Sequence, residues 1–181
     1  MDHSNSSQEK TSTTMDVPAA EFRKALRELT GAVSVITVGN AEDRTGFVAT
    51  SVSSFSTDPP SLILCINKTS SSRETLLKSG RFGVNFMKDQ HADIADRFIG
   101  IGGIKGNDRY TGAEWITLPS GTQVLKEALA SIECIVEETL DRHDHTIVIG
   151  KVESIRMCNN GKPLLWFQST YYHIGAQLNK L

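Results

Sequence analysis

Residues 45–67 read TGFVATSVSSFSTDPPSLILCIN, and this stretch decides the fold. Seven of the fourteen residues 45–58 are Ser or Thr, interleaved with Phe, Val and Ala. Such a composition suits a pleated surface and disfavours a helix, because hydroxyl side chains compete for the helical backbone bonds. Asp58-Pro59-Pro60 breaks the run, since proline cannot donate to a ladder. Residues 62–67 are almost wholly apolar and too short for a core helix, so they read as a buried strand.

Working outward, the same period recurs. Residues 32–38 (AVSVITV) are β-branched and predict a strand, with turns at Gly39-Asn40 and Asp43-Arg44. Upstream, Asp16 can cap a helix, Pro18 suits its first turn, and Glu21 favours the positive end of the dipole. Phe22, Leu26 and Leu29 follow as one helical stripe, which Gly31 stops. Downstream, Ser71 and Glu74 stand at capping-box spacing before Leu76 and Leu77, and Gly80 ends that short helix. Residues 82–87 predict a strand. Asp89 can cap a further helix carrying Ile94, Ala95 and Phe98. Residues 100–112 hold five of the fourteen glycines and read as a mobile loop. Residues 132–140, 146–155 and 163–174 are further strand regions.

The sum is six or seven strands with short helices between them. Long helices do not alternate regularly with strands, so a doubly wound parallel sheet is excluded. No glycine-rich nucleotide fingerprint follows a strand. The expected fold is mainly β with short helices, a closed antiparallel barrel. Residues 1–15 are polar and read as a disordered tail, leaving 16–181 as a single domain.

Composition narrows the function. Lys and Arg number 19 against 21 Asp and Glu, a net charge of −2, which argues against nucleic acid and anionic membranes as partners. No apolar run approaches the roughly 18 residues of a membrane span. The N-terminus lacks the apolar core of a secretory signal. The three cysteines are odd in number and far apart, with no zinc spacing. They point to a reducing cytoplasm.

Chemistry has few places to reside. The hydroxyl-rich run 45–58 reads either as the polar face of an edge strand or as an anion cradle. Residues 67–72 (NKTSSS) favour the cradle, because they follow a buried strand, open a helix and carry Lys68. Residues 141–145 (DRHDH) read as a charged hairpin tip. Their two histidines lack the further ligands of a metal site, but one could contact a ligand. Cys65 sits in an apolar strand and reads as inert packing. No nucleophile elbow, triad or metal set is present.

Taken together these motifs resemble the flavin reductase-like family. The likeness rests on FRKALRELTGAVSVIT, on GFVATSVSSFSTDPPSLILCINKTSSS, on Val84-Asn85, Phe98 and Cys134, and on Asp144-His145 leading to Gly150-Lys151-Val152. It closes with Pro163-Leu164-Leu165 and Tyr172. The resemblance implies a split β-barrel of the FMN-binding type, dimeric with itself, holding FMN (or FAD) at the subunit interface. It implies hydride transfer from NADH or NADPH to flavin and release of reduced flavin to a separate oxygenase. It places flavin contacts on Ala49, Thr50, Ser51, Val52, Ser54, Cys65, Ile66, Asn67, Lys68, Ser71 and Ser72. It also makes His145 the nicotinamide-side residue, with Tyr172 nearby. Many relatives carry Asn at the position of Thr50. A flavin-binding electron carrier or store without reductase turnover is the alternative; NADH oxidation with added FMN separates the two.

Overall fold

The computed structural model describes residues 16–158 and 160–175. Seven strands make one antiparallel sheet: β2 (Ser34–Val38), β3 (Thr45–Ala49), β4 (Ser53–Thr57), β5 (Pro60–Asn67), β6 (Arg81–Phe86), β9 (Ala130–Arg142) and β10 (His145–Met157). Their order is β3-β2-β6-β9-β10-β5-β4. Two short strands, β7 (Trp115–Thr117) and β8 (Gln123–Leu125), pair with each other. A three-stranded sheet joins β1 (Gly31–Ala32), β11 (Leu164–Phe167) and β12 (Thr170–His173).

The large sheet coils on itself. Alternate residues point to opposite faces. The inward set is apolar: Ile36 and Val38 on β2, Phe47 and Ala49 on β3, Leu62, Leu64 and Ile66 on β5, Phe82 and Val84 on β6, Cys134 on β9, Val148 on β10. All of them share one core, although β3 and β4 are the unpaired ends of the ladder. The result is a barrel split along the seam between two strands that are consecutive in sequence. Gly150 on β10 faces the Phe82 ring, and a Cβ there would collide with it. The core also contains Leu76 of α2 (Arg73–Ser79), which lies fully buried.

A second core covers the outside of β2 and β3. Val33, Val35 and partly buried Val48 meet Ile94, Ala95 and Phe98 of α3 (Ala92–Ile99), with Tyr110, Leu125 and Leu164. This explains why every residue of β2 is buried: both its faces are covered. Asn85, fully buried, has its amide satisfied on both sides. Its Nδ2 donates to Val35 O at 3.0 Å. Its Oδ1 accepts from Leu125 N–H at 2.7 Å and from the Ser131 hydroxyl at 2.9 Å.

Several expectations change. The pleated stretch expected within residues 45–58 is two strands, because residues 50–52 leave the ladder at the seam. The capping box at Ser71 and Glu74 does not form; the helix begins after Ser72, whose hydroxyl donates to Gly46 O at 2.8 Å. Residues 100–112 are pinned instead of loose. Arg109 Nη1 donates to Gly46 O at 2.8 Å, and Tyr110 OH donates to Thr45 O at 2.6 Å. The stripe of α1 (Ala19–Leu26) finds no partner among the described residues: Phe22 is 58% exposed and Leu26 46%. Strands β7 and β8 were not foreseen. The polar tail, residues 1–15, lies outside the described residues. No helix among those described is long and apolar enough to cross a membrane.

Candidate functional site

The site is built around the end of β5. On this strand Leu62, Leu64 and Ile66 point into the barrel, so Ile63, Cys65 and Asn67 point outward. Cys65 is therefore not barrel packing but a half-buried free thiol on the outer face. The inward cysteine is Cys134, fully buried, whose thiol burial pushes up to about 12.

The segments that flank β5 come from distant parts of the chain. On one side lies the seam. Ser51 bridges it, accepting from Cys65 N–H at 3.1 Å and donating to Cys65 O at 3.4 Å. On the other side lies β10, whose register sets His145 opposite Asn67 and Ile147 opposite Cys65. Cross-strand partners share a face, so His145 and Asn67 stand together. Lys68 N–H donates to Asp144 O at 2.9 Å and fixes the β9–β10 turn to the segment after β5. His145 is half-exposed, and its Nδ1 lies 2.9 Å from Asp144 Oδ1. That hydrogen bond, with one from its own backbone, holds the Asp144 carboxyl below its usual range. With Nδ1 engaged, Nε2 is the ring nitrogen left for a ligand.

Below this pair, residues 67–73 make a cationic shelf. Asn67 Oδ1 accepts from Thr69 N–H at 2.8 Å and from its hydroxyl at 2.7 Å, which turns the chain. Lys68, Ser70, Ser71, Arg73, Glu74, Leu77 and Lys78 then line an open hollow of about 610 Å³. Ser71 is exposed and its hydroxyl makes no hydrogen bond among the described residues. The donor set suits an anion: two cations and two hydroxyls on one short segment. Arg73 went unnoticed in the sequence. The signal was its place directly after the hydroxyl run, five residues beyond Lys68.

The remaining expected residues divide. Thr50 is exposed at the seam, so close to β1 that a Cβ on Gly31 would lie 2.7 Å from its own Cβ. Val52 is half-buried against the barrel core. Ser54 is exposed on β4 opposite Leu62, three positions down the ladder from Cys65. Ala49 and Ile66 point into the core, so only their backbone faces outward. Ser72 is fully buried, bonded to Gly46 O and 3.0 Å from the Thr45 hydroxyl, and offers no side-chain atom to the hollow. Tyr172 lies in the separate three-stranded sheet, its ring against Phe167. Its neighbour Tyr171, with Val33, Val48, Thr50, Ile99 and Trp166, lines an apolar cavity of about 210 Å³ beside the seam.

Comparison with known proteins agrees with this architecture. Residues 26–175 match the family model described as the flavin reductase like domain. The chain is 34% identical over 154 residues to an FMN reductase (NADH), RutF 2, of Rhizobium rhizogenes, covering 85% of this chain and 88% of that protein. It is 30% identical to the 4-hydroxyphenylacetate 3-monooxygenase reductase component of Pseudomonas aeruginosa, over 84% of this chain and 90% of the other. Among solved structures, a nitrilotriacetate monooxygenase component B homologue from Mycobacterium thermoresistibile superposes with a TM-score of 0.78 at 29% identity, covering 89% of this chain and 92% of that one. With the family model spanning most of the chain, this protein belongs to the flavin reductase like domain family.

Proposed function

We propose that this protein is an NADH-dependent reductase of FMN that supplies reduced flavin to a separate monooxygenase component. The observation that carries the reading is the meeting of the Lys68–Arg73 shelf with the Asn67–His145 pair at one end of β5. Lys68, Ser70, Ser71 and Arg73 would hold the phosphate. The outward backbone and side chains from Thr50 to Ser51 and from Cys65 to Asn67 would hold the ring, with Ile63 and Ile147 as apolar floor. Flavin, once bound, supplies the hydride-accepting chemistry. The chain's own part is to orient and to exclude. His145, steered by Asp144, accepts at Nε2 from an N–H of the hydride donor's carboxamide and fixes its distance. That division accounts for a site with no triad and no metal set among the described residues. FAD and NADPH remain within reach of the same site, since its open shelf restricts neither.

The outer face beside the site is apolar and uncovered: Phe55 and Leu140 are exposed, and Ile63, Cys65, Ile147 and Ile149 are half-buried. A second copy of the chain would bury it, which supports a homodimer. The three unpaired cysteines support a reducing cytoplasm as its compartment. The test is NADH oxidation with and without FMN. Flavin-dependent turnover supports the reading; flavin binding without turnover would make the protein a carrier or store instead.

A further inference from the structure

The cations of the shelf are already engaged. Arg73 Nη2 donates to both carboxylate oxygens of Asp141, at 3.0 and 3.1 Å. Lys68 Nζ lies 3.8 Å from Asp141 Oδ2. The Thr146 hydroxyl donates to Asp141 Oδ1 at 2.6 Å, and Arg73 Nε donates to Thr146 Oγ1 at 2.8 Å. Asp141 stands near the end of β9, opposite Thr146 in the ladder, so the hairpin delivers it to this place whether or not a ligand is present. The Thr146 bond, with Arg73 and Lys68 beside it, holds its carboxyl below the usual range, so it is an anion at neutral pH.

A phosphate dianion seeking Lys68 and Arg73 therefore meets a carboxylate on the same donors. It must either displace Asp141, losing those charged bonds, or sit beside it against like-charge repulsion. Both routes lower affinity for a phosphorylated ligand, and neither touches a ligand that lacks the phosphate.

Building on the reading of this shelf as the flavin phosphate site, we propose that Asp141 sets flavin affinity by competing with the phosphate for Lys68 and Arg73. It keeps FMN an exchangeable substrate rather than a resident group. An enzyme that must surrender reduced flavin to another protein needs such a weakened grip.

The test compares FMN with riboflavin, which carries the same ring without the phosphate. Dissociation constants are measured by flavin fluorescence quenching for wild type, Asp141→Asn and Asp141→Ser. Thermal melts check folding, and the half-exposed position at a hairpin end should tolerate both changes. FMN affinity should rise about tenfold in each variant, roughly 1.4 kcal/mol. Riboflavin affinity should stay within about twofold. Weaker FMN binding in the variants would mean that Asp141 orients the cations instead, and would overturn the proposal. Equal shifts for FMN and riboflavin would overturn it too. Wild type that binds neither flavin would instead remove the flavin reading on which the proposal rests.

Discussion

Replacing His145 with alanine tests the catalytic reading most directly. The side chain is 45% exposed and its partner carboxylate 79% exposed, so their pair adds little to stability. Thermal midpoints should therefore barely move. What is lost is one hydrogen bond accepted at Nε2 from the hydride donor, in a half-open site. A neutral bond in partial competition with water contributes about 0.5–1.5 kcal/mol. Misplacement of the donor relative to flavin adds to that, because hydride transfer depends on a near-attack geometry. Together about 1–2 kcal/mol is expected, or roughly a fivefold to thirtyfold fall in kcat/KM for NADH. Binding of FMN should be nearly unchanged, since the cationic shelf does not involve the imidazole. Asp144→Asn should give a smaller loss, because the ring is then less firmly oriented. His143 is the control: it sits in the β9–β10 turn with φ of 47°, and its alanine variant should keep full activity. The assay is steady-state NADH oxidation at saturating FMN, with melts on each protein. If His145→Ala keeps its kcat/KM, or loses it only in step with its melting temperature, the nicotinamide role is refuted.

Lys68→Ala and Arg73→Ala should each weaken FMN about tenfold and leave riboflavin nearly alone, since charged hydrogen bonds to phosphate go with roughly 1–3 kcal/mol; equal loss for both flavins would move the phosphate elsewhere. Burial, and then Lys88, lowers the His91 pKa below 6.5, so the unfolded chain takes up its proton first. Stability from this group is full above about pH 6.5 and falls as pH drops through the lower folded value. Melts of wild type and His91→Gln between pH 7.5 and 5 should converge toward acid, and parallel curves would contradict this. Phe82→Ala should cost about 3–5 kcal/mol by opening the barrel core, read as an equilibrium denaturant midpoint; a loss under 1 kcal/mol would mean that the core collapses around the gap.

Much of the shelf was legible because its chemistry is local. Residues 67–72 lie on one segment, so an asparagine, a lysine and three serines announce themselves in order. Asp141 was different. It read as one charge of a hairpin tip, and nothing in its neighbours pointed to Lys68, which lies 73 positions earlier in the chain and meets it only because β10 pairs with both β9 and β5. The same holds for Thr146, a residue with no chemical flag, which orients both Arg73 and Asp141.

The sequence by itself determined most of the strands and the short helices, because apolar β-branched runs and proline or glycine punctuation act over a few residues. It also determined which hydroxyls and cations were available. Only the tertiary structure decided three things. Register turned Cys65 outward and Ile66 inward, a choice that depends on which face the ladder buries. The hydroxyl count could not separate Ser51, which bridges the seam, from Ser72, which is sealed beneath α2. Packing made that distinction, since each hydroxyl goes where an unpaired backbone group needs a partner. Lastly, the pairing of β5 with β10 brought His145 to Asn67 and Asp141 to Lys68 and Arg73. Long-range pairing is a property of the closed sheet, and no local pattern encodes it.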